Sequence, residues 1–153
     1  HDSEIFNVAE CLNFILKKFE LQAQSKHIHL VTECDDAFVQ TSKTAFIQIL
    51  DNLISNAIKF SPFRTSVRIT STVADSILRI SVKDNGPGLT AEDMSKLFGK
   101  FTRLSAQPTG GEHSTGLGLS IVHRLVEMMN GKIWCESEVG KGATFILVLP
   151  AVP

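Results

Sequence analysis

Residues 52–62, NLISNAIKFSP, complete a helical stretch whose two faces carry different chemistry. Either Thr41 or Ser42 can begin this helix by accepting a backbone hydrogen bond, and Pro62 ends it. One face of the stretch is apolar at helical spacing: Phe46, Ile49, Leu50, Leu53, Ile54 and Ala57. We therefore predict a helix from about residue 42 to residue 60, with this apolar face buried.

A second face of the same helix carries the polar residues Asn52, Asn56 and Lys59, at spacings of four and three. Asparagine is a modest helix former, because its side chain competes for backbone hydrogen bonds. Two interpretations stay open from the residues alone. The amides are solvated or bonded locally, or the amide oxygen of Asn56 faces a hard cation while Lys59 lies near an anion.

The flanking segments alternate between helical and strand periodicity. A helix is predicted from Asn7 to about Ser25, with Asn7 and Glu10 as a capping box, and another from Gly116 to about Met129. Strands are predicted at residues 29–34, 67–73, 77–83, 132–136 and 143–149, the second and third forming a hairpin. This order predicts an α/β sandwich in which a mixed β-sheet of about five strands has three main helices packed on one face.

Length and composition support one ordinary globular domain over residues 1–153. The chain is 43% hydrophobic and 20% charged, with a formal net charge of −1. This balance gives no electrostatic reason to expect nucleic acid or an anionic membrane surface as a partner. Cys11, Cys34 and Cys135 lack metal-ligand spacing and indicate reduced thiols. Because the first residue is His1 and not Met, we expect the chain to be a fragment of a longer protein.

The stretch DNGPGL, residues 84–89, directly follows a predicted strand. Gly86 and Gly88 flank Pro87, a pattern typical of a tight turn whose backbone another group can approach closely. Asp84, at the strand end, can accept a hydrogen bond from an exocyclic amine. A plain turn capped by Asp84 explains the pattern equally well, so both interpretations stay open.

The stretch STGLGL, residues 114–119, opens the last predicted helix. Its glycines leave several backbone N–H groups free at a helix N-terminus, where the helix dipole adds positive potential, and this arrangement is suited to phosphate. The stretch follows a loop and not a strand, so it differs from the dinucleotide-binding fingerprint, and the chain contains no Walker A motif. The preceding segment has few apolar residues and is predicted to be functional or mobile.

Taken together and in this order, these stretches resemble the ATP-binding (catalytic) domain of sensor histidine kinases. That domain belongs to the GHKL superfamily, which also includes type II topoisomerases, mismatch-repair ATPases and a heat-shock chaperone. Residues 52–62 are similar to the N box, residues 84–89 to the first glycine box, residues 97–101 (LFGKF) to the F box, residues 114–133 to the second glycine box and residues 137–150 to the closing strands. The resemblance covers nearly the whole chain and implies a Bergerat fold with a flexible ATP lid.

The resemblance also implies roles for residues of the first two boxes. Asn56 would coordinate a Mg²⁺ ion that bridges the triphosphate, with Asn52 assisting and Lys59 near a phosphate. Asp84 would accept a hydrogen bond from the adenine amino group. The glycines that follow it, Gly86 and Gly88, would shape the adenine pocket.

For the lid, the resemblance implies a segment from about residue 90 to residue 115, anchored by Phe98 and Phe101. Arg103 would reach from it to a phosphate. Gly116 and Gly118 would hinge the lid and offer N–H groups to the phosphates. The rest of this nucleotide-binding turn would comprise Thr115, Leu117 and Leu119. Since little burial opposes its conformational entropy, we expect residues 101–115 to be mobile without nucleotide and to order partly on binding.

The reaction is indicated by Asn52. In the ATP-hydrolysing relatives a glutamate that activates water lies four residues before the metal-binding asparagine, and here that position is an amide with no basic lone pair. The chain is therefore expected to transfer the γ-phosphoryl group to a protein nucleophile instead of to water. None of its five histidines begins the H-E-x-x-x-P pattern of the family's acceptor, so we expect the acceptor on a separate upstream domain.

The resemblance thus implies the catalytic domain of a protein histidine kinase that uses ATP and Mg²⁺ and is not competent alone. Its expected partners are its own dimerisation and histidine-phosphotransfer domain and a response regulator, without nucleic acid or direct membrane contact. The expected location is cytoplasmic, and the resemblance allows a membrane-anchored full-length protein. Two alternatives stay open: a nucleotide-binding regulatory module without transfer activity, and a hydrolytic GHKL ATPase.

Overall fold

The computed structural model describes residues 2–99, 109–110 and 118–153. Within these ranges the strands are β1 (Ser3–Asn7), β2 (His29–Cys34), β3 (Phe38–Ser42), β4 (Ser66–Ala74), β5 (Ile77–Lys83), β6 (Lys132–Ser137) and β7 (Ala143–Pro150). The helices are α1 (Val8–Lys17), α2 (Glu20–Ser25), α3 (Lys43–Phe60), α4 (Ala91–Lys96) and α5 (Gly118–Met128). None of these helices is long and apolar enough to cross a membrane.

The main sheet has five strands in the order β2-β4-β5-β7-β6. Strands β2 and β4 are parallel, whereas the other neighbours pair antiparallel. The predicted mixed sheet is thus confirmed, together with its hairpin, in which Ala74 pairs with Ile77 across a turn at Asp75 and Ser76. Both turn residues have positive φ angles, 53° and 59°, as a tight two-residue hairpin turn requires.

The core lies between this sheet and the helices, with α3 at its centre. Phe46, Ile49, Leu50 and Ile54 of α3 are fully buried, and the helix packs against α1, α5 and β5. Ser42 caps the helix, its hydroxyl accepting a hydrogen bond from the Ala45 amide at 3.2 Å. The apolar spacing and the cap were both in the sequence, and the predicted helix is confirmed.

The predicted single helix over residues 7–25 is wrong, because it is interrupted between α1 and α2. The amides of Lys18 and Phe19 bond to the carbonyl oxygens three residues earlier, at 3.1 and 3.0 Å, which tightens the last turn. Phe19 then leaves helical geometry, with φ −103° and ψ 0°, and its ring packs against the core. The break therefore coincides with the contact of this partly buried aromatic side chain with the core.

Three short elements had no prediction of their own. Among the described residues, strands β1 and β3 form a separate antiparallel two-stranded sheet. Helix α4 lies within the segment predicted to be the lid and begins with a capping box, in which Thr90 and Asp93 bond to each other's backbone amides. Because all three elements have six residues or fewer, they give little periodic signal.

Candidate functional site

The fold brings the polar end of α3, the turn after β5 and the start of α5 to one pocket. This pocket is lined by residues from all three places and from β7: Asn56, Phe60, Asp84, Pro87, Gly88, Leu89, Leu119, Ala143 and Phe145. Most of these side chains are apolar, and the polar groups among them are an amide and a carboxylate. A few polar groups in an otherwise apolar cleft are typical of a small-molecule site.

Asp84 is the buried acid of this pocket, with only 6% of its surface exposed. Its Oδ1 accepts hydrogen bonds from the amides of Gly86, at 2.9 Å, and Ala143, at 3.1 Å. No described residue donates to Oδ2. The turn-capping interpretation is therefore correct for Oδ1, whereas Oδ2 has no hydrogen-bond donor among the described residues.

Burial raises the pKa of the Asp84 carboxyl, and the two backbone hydrogen bonds oppose that shift. The native state therefore holds this proton more tightly than the unfolded chain does. We expect the contribution of Asp84 to the free energy of unfolding to fall as pH rises from about 4, the ordinary pKa of aspartate, through the raised value. Urea unfolding of the wild type and of Asp84→Asn across this pH range checks the expectation. The difference between their free energies of unfolding should change with pH, and a constant difference would contradict the raised pKa.

The glycines of the turn after β5 are required by close backbone contacts. A Cβ atom on Gly86 would lie 2.6 Å from the carbonyl oxygen of Phe60 at the end of α3. Gly88 has a φ angle of +77°, and a Cβ atom there would lie 2.1 Å from the carbonyl oxygen of Glu138. The turn therefore packs against α3 on one side and against the β6–β7 connection on the other.

The two asparagines of α3 bond to each other. The Asn56 side-chain amide donates to Oδ1 of Asn52 at 3.2 Å, and no described residue donates to Oδ1 of Asn56. Gly118, the first residue of α5, packs on this pair so closely that a Cβ atom there would lie 2.3 Å from the Asn52 amide nitrogen. This bond orients the Asn56 side chain next to the N-terminus of α5.

This donor set suits Mg²⁺. The ion is held by hard oxygen ligands and commonly by one or two protein groups together with substrate phosphates. The amide oxygen of Asn56 is one such ligand, and the described ranges contain no cluster of three or more His, Cys, Asp or Glu that would form an all-protein cage. A Mg²⁺ ion shared between Asn56 and a phosphate chain fits these residues.

Besides Asn52, Gly86 and Gly118, whose contacts are given above, the predicted residues Lys59 and Phe98 also lie outside the pocket lining. The half-buried Lys59 contributes its carbonyl oxygen, which accepts from the Thr109 amide at 2.9 Å. Phe98 packs against the core and stacks on His123 of α5, with ring centroids 5.1 Å apart. Phe98 therefore ties the end of α4 to α5, while His123 also pairs with Glu127 at 2.8 Å.

Five predicted site residues lie outside the described ranges: Phe101, Arg103, Thr115, Gly116 and Leu117. The expected mobility of residues 101–115 falls there too, apart from Thr109 and Gly110. Of the predicted second glycine box, the structure describes the part from Gly118 onward, including Leu119 in the pocket lining.

Several lining residues had not been singled out from the sequence: Phe60, Pro87, Leu89, Ala143 and Phe145. Gly142 was likewise missed. It has a φ angle of +74°, and a Cβ atom there would lie 2.2 Å from the Asp84 carbonyl oxygen. The signal for it was a second glycine just before a predicted strand, in the turn Gly140-Lys141-Gly142, but the partner across the contact is distant in sequence.

Comparison with known proteins agrees with this geometry. Residues 41–153 match the family described as "Histidine kinase-, DNA gyrase B-, and HSP90-like ATPase". The sensor histidine kinase WalK of Bacillus subtilis (strain 168) is 34% identical over an alignment of 151 residues, and the match covers 96% of this chain and 24% of that protein. The chain thus spans about a quarter of the length of such relatives.

Solved structures show the same relationship. The catalytic domain of the histidine kinase ThkA, in a nucleotide-free form, has a TM-score of 0.87 and 30% identity, with 100% of each chain covered. Histidine kinase ThkA in complex with the response regulator protein TrrA has a TM-score of 0.82 and 30% identity, covering 99% of this chain and 42% of that chain. The predicted Bergerat-type fold is confirmed. This chain belongs to the histidine kinase-, DNA gyrase B-, and HSP90-like ATPase family and, within it, to the catalytic domains of histidine kinases.

Proposed function

We propose that this domain binds Mg·ATP and presents its γ-phosphoryl group to a histidine on a separate domain of the same protein. The observation that carries the proposal is the pairing, across one pocket, of a buried carboxylate with one unbonded oxygen and an oriented amide oxygen beside a helix N-terminus. The carboxylate is that of Asp84, the amide oxygen is that of Asn56, and the helix is α5. These groups suit opposite ends of an adenine nucleotide.

The base lies at the Asp84 end in this proposal. Oδ2 accepts from the exocyclic amino group, while Oδ1 stays bonded to the amides of Gly86 and Ala143. The apolar side chains of Leu89, Leu119 and Phe145 cover the faces of the base. Because the carboxylate is held by backbone groups, it is in place before the ligand arrives, which reduces the entropy cost of binding.

The phosphates lie at the Asn56 end. The N-terminus of α5, which begins at Gly118, favours negative charge there. Asn56 would hold a Mg²⁺ ion, and such an ion would neutralise charge on the phosphate chain. Asn52 accepts the Asn56 amide hydrogen and so directs the Asn56 oxygen toward the metal. These residues orient the nucleotide, and the nucleophile comes from elsewhere.

Transfer to a protein histidine is favoured over hydrolysis because Asn52 offers no base to activate water. We propose that the acceptor is on a dimerising histidine-phosphotransfer domain of the full-length protein, and that a response regulator takes the phosphoryl group in turn. The second partner is supported by ThkA, which was solved in complex with the response regulator TrrA. We propose a cytoplasmic location for the domain, since its proposed substrate is ATP.

The first test measures binding and turnover of the purified chain. We expect Mg·ATP to bind while steady ATP hydrolysis stays negligible, and phosphorylation to appear when an acceptor-histidine domain is supplied. Binding without any transfer to such a domain would favour a regulatory module, and steady hydrolysis lost in Asn56→Ala would favour a hydrolytic ATPase.

The second test assigns the metal ligand. Asn56→Ala should weaken binding of ATP in the presence of Mg²⁺ by about 10-fold or more, as loss of groups around a metal does, while the affinity measured with excess chelator changes much less. Asn13→Ala serves as the matched control, because Asn13 is an exposed asparagine of α1. Equal affinities of the wild type and Asn56→Ala with Mg²⁺ would remove Asn56 from the metal site.

A further inference from the structure

Lys26 directly follows α2, and its side chain is buried against the C-terminal end of α3. Only 4% of the residue is exposed. Its Nζ donates to the carbonyl oxygens of Ile58, at 2.9 Å, and Lys59, at 3.1 Å, and to the Thr109 hydroxyl at 2.7 Å. The ring of Phe63 lies 5.5 Å from the same ammonium group. Lysine is rarely buried this deeply unless its ammonium group is paired.

The location explains why the charge is tolerated. The last carbonyl groups of a helix lack partners within the helix and carry the negative end of its dipole. A buried ammonium group is costly unless hydrogen bonds replace its hydration. The carbonyl oxygens of Ile58 and Lys59 supply such bonds, so Lys26 caps α3 from a different part of the chain.

Thr109 completes this arrangement from the other side. Its amide donates to the Lys59 carbonyl oxygen at 2.9 Å, and its hydroxyl donates to the Ser61 carbonyl oxygen at 2.6 Å. The same hydroxyl accepts from Lys26. We call Lys26, Thr109 and the carbonyl groups of residues 58, 59 and 61 the Lys26 strut.

The strut holds residues that form one wall of the nucleotide pocket. Phe60, between two of the held carbonyl groups, lines the pocket, and its own carbonyl oxygen lies where a Cβ atom on Gly86 would be 2.6 Å away. The hydroxyl of Ser61 accepts from the Asn85 amide at 3.2 Å. The turn after Asp84 therefore packs against the C-terminal end of α3. A shift of this end of α3 would displace both Phe60 and the turn that follows Asp84.

We infer that Lys26 is a positioning residue for nucleotide binding, which acts through the Lys26 strut by fixing Phe60 and Ser61 beneath the turn that carries Asp84. The inference rests on the proposed function, since it concerns the affinity of the same pocket. Lys26 itself lies outside the pocket lining. Its effect is transmitted through the carbonyl groups that it holds.

The test compares ATP affinity of the full 153-residue chain and of Lys26→Met, which keeps an unbranched side chain and removes the ammonium group. Calorimetry is done at a temperature where melting curves show each variant to be folded. We expect the dissociation constant for Mg·ATP to rise on the order of 10-fold, as when residues that orient a site's ligands are lost. Lys18→Met is the matched control, because Lys18 also bonds to α3, at Asp51 and 2.8 Å, but through an exposed ion pair. It should leave ATP affinity unchanged.

A double-mutant cycle with Thr109→Val tests whether Lys26 and Thr109 act together on ATP affinity. If the two residues act as one strut, the combined loss of ATP affinity should be clearly smaller than the sum of the single losses. A folded Lys26→Met protein with wild-type affinity, or strictly additive effects, would overturn the inference while leaving the proposed function intact. Failure of the wild type to bind Mg·ATP would overturn both.

Discussion

Replacing Asp84 with asparagine is expected to weaken ATP binding by about 10- to 150-fold, because a hydrogen bond to a charged group contributes about 1.5–3 kcal/mol. The substitution suits the geometry. Both backbone bonds of the side chain end on Oδ1, donated by Gly86 and Ala143, and the single amide oxygen of asparagine can take that place. The change then falls on Oδ2, where a donor replaces an acceptor. We therefore expect the fold to be retained.

The same substitution should narrow the preference for ATP over GTP. Guanine carries a carbonyl oxygen where adenine carries its amino group, so in the wild type GTP would set that oxygen against Oδ2 of the buried Asp84 carboxylate, which is also an acceptor. An amide can offer a donor to that carbonyl oxygen. The ratio of the two dissociation constants should thus fall in Asp84→Asn, both because ATP binds less well and because GTP is no longer repelled.

Calorimetric titration of the wild type and Asp84→Asn with ATP and GTP, together with melting curves, checks this expectation. Asp84→Ala is the companion variant, because it also removes the acceptor of the Gly86 and Ala143 amides and should lose stability as well as affinity. Unchanged ATP affinity in a well-folded Asp84→Asn protein would remove Asp84 from the base site and leave it as a turn cap.

The parts of the fold that could be predicted are those with long periodic patterns. Helix α3 is eighteen residues long, with one apolar face and a serine cap, and β4 and β5 are nine and seven residues long, with alternating burial over most of their length. Such patterns are local, so they can be read without knowing the fold. The break at Phe19 depends instead on where its ring is buried, and the five-residue strands β1 and β3 depend on each other.

The site divides in the same way. Asp84 and Asn56 were singled out by residue type, spacing and the family resemblance, and both line the pocket. Phe60, Ala143 and Gly142 reach the site through contacts between distant segments, such as the Ala143 amide on Asp84, fifty-nine residues apart. Lys26 is the clearest case: in sequence it is one lysine of a polar loop, and its burial follows from where α3 ends.

Gly88→Ala is expected to destabilise the domain by about 2–5 kcal/mol, through two costs that add. A residue with a Cβ atom loses about 1–2 kcal/mol in left-handed geometry, and Gly88 has a φ angle of +77°. Forcing a methyl group into a packed site costs about 1–3 kcal/mol more, and here it would lie 2.1 Å from the Glu138 carbonyl oxygen and 2.8 Å from its carbon. Backbone atoms on both sides of the contact cannot rotate away as a side chain can.

Gly140→Ala separates the two costs, because Gly140 lies in the facing turn with a φ angle of +84° but has no atom within 4 Å of a Cβ position. It should therefore show only the left-handed cost, about 1–2 kcal/mol. Urea unfolding at constant m-value gives the loss in free energy of unfolding for each variant. Equal losses in the two variants would mean that the close approach to Glu138 contributes nothing.

Gly88 also lines the pocket, so relief of the clash by movement of the turn away from the β6–β7 connection would carry Asp84 with it. Any Gly88→Ala protein that remains folded should consequently bind ATP more weakly, whereas Gly140→Ala should keep most of its affinity.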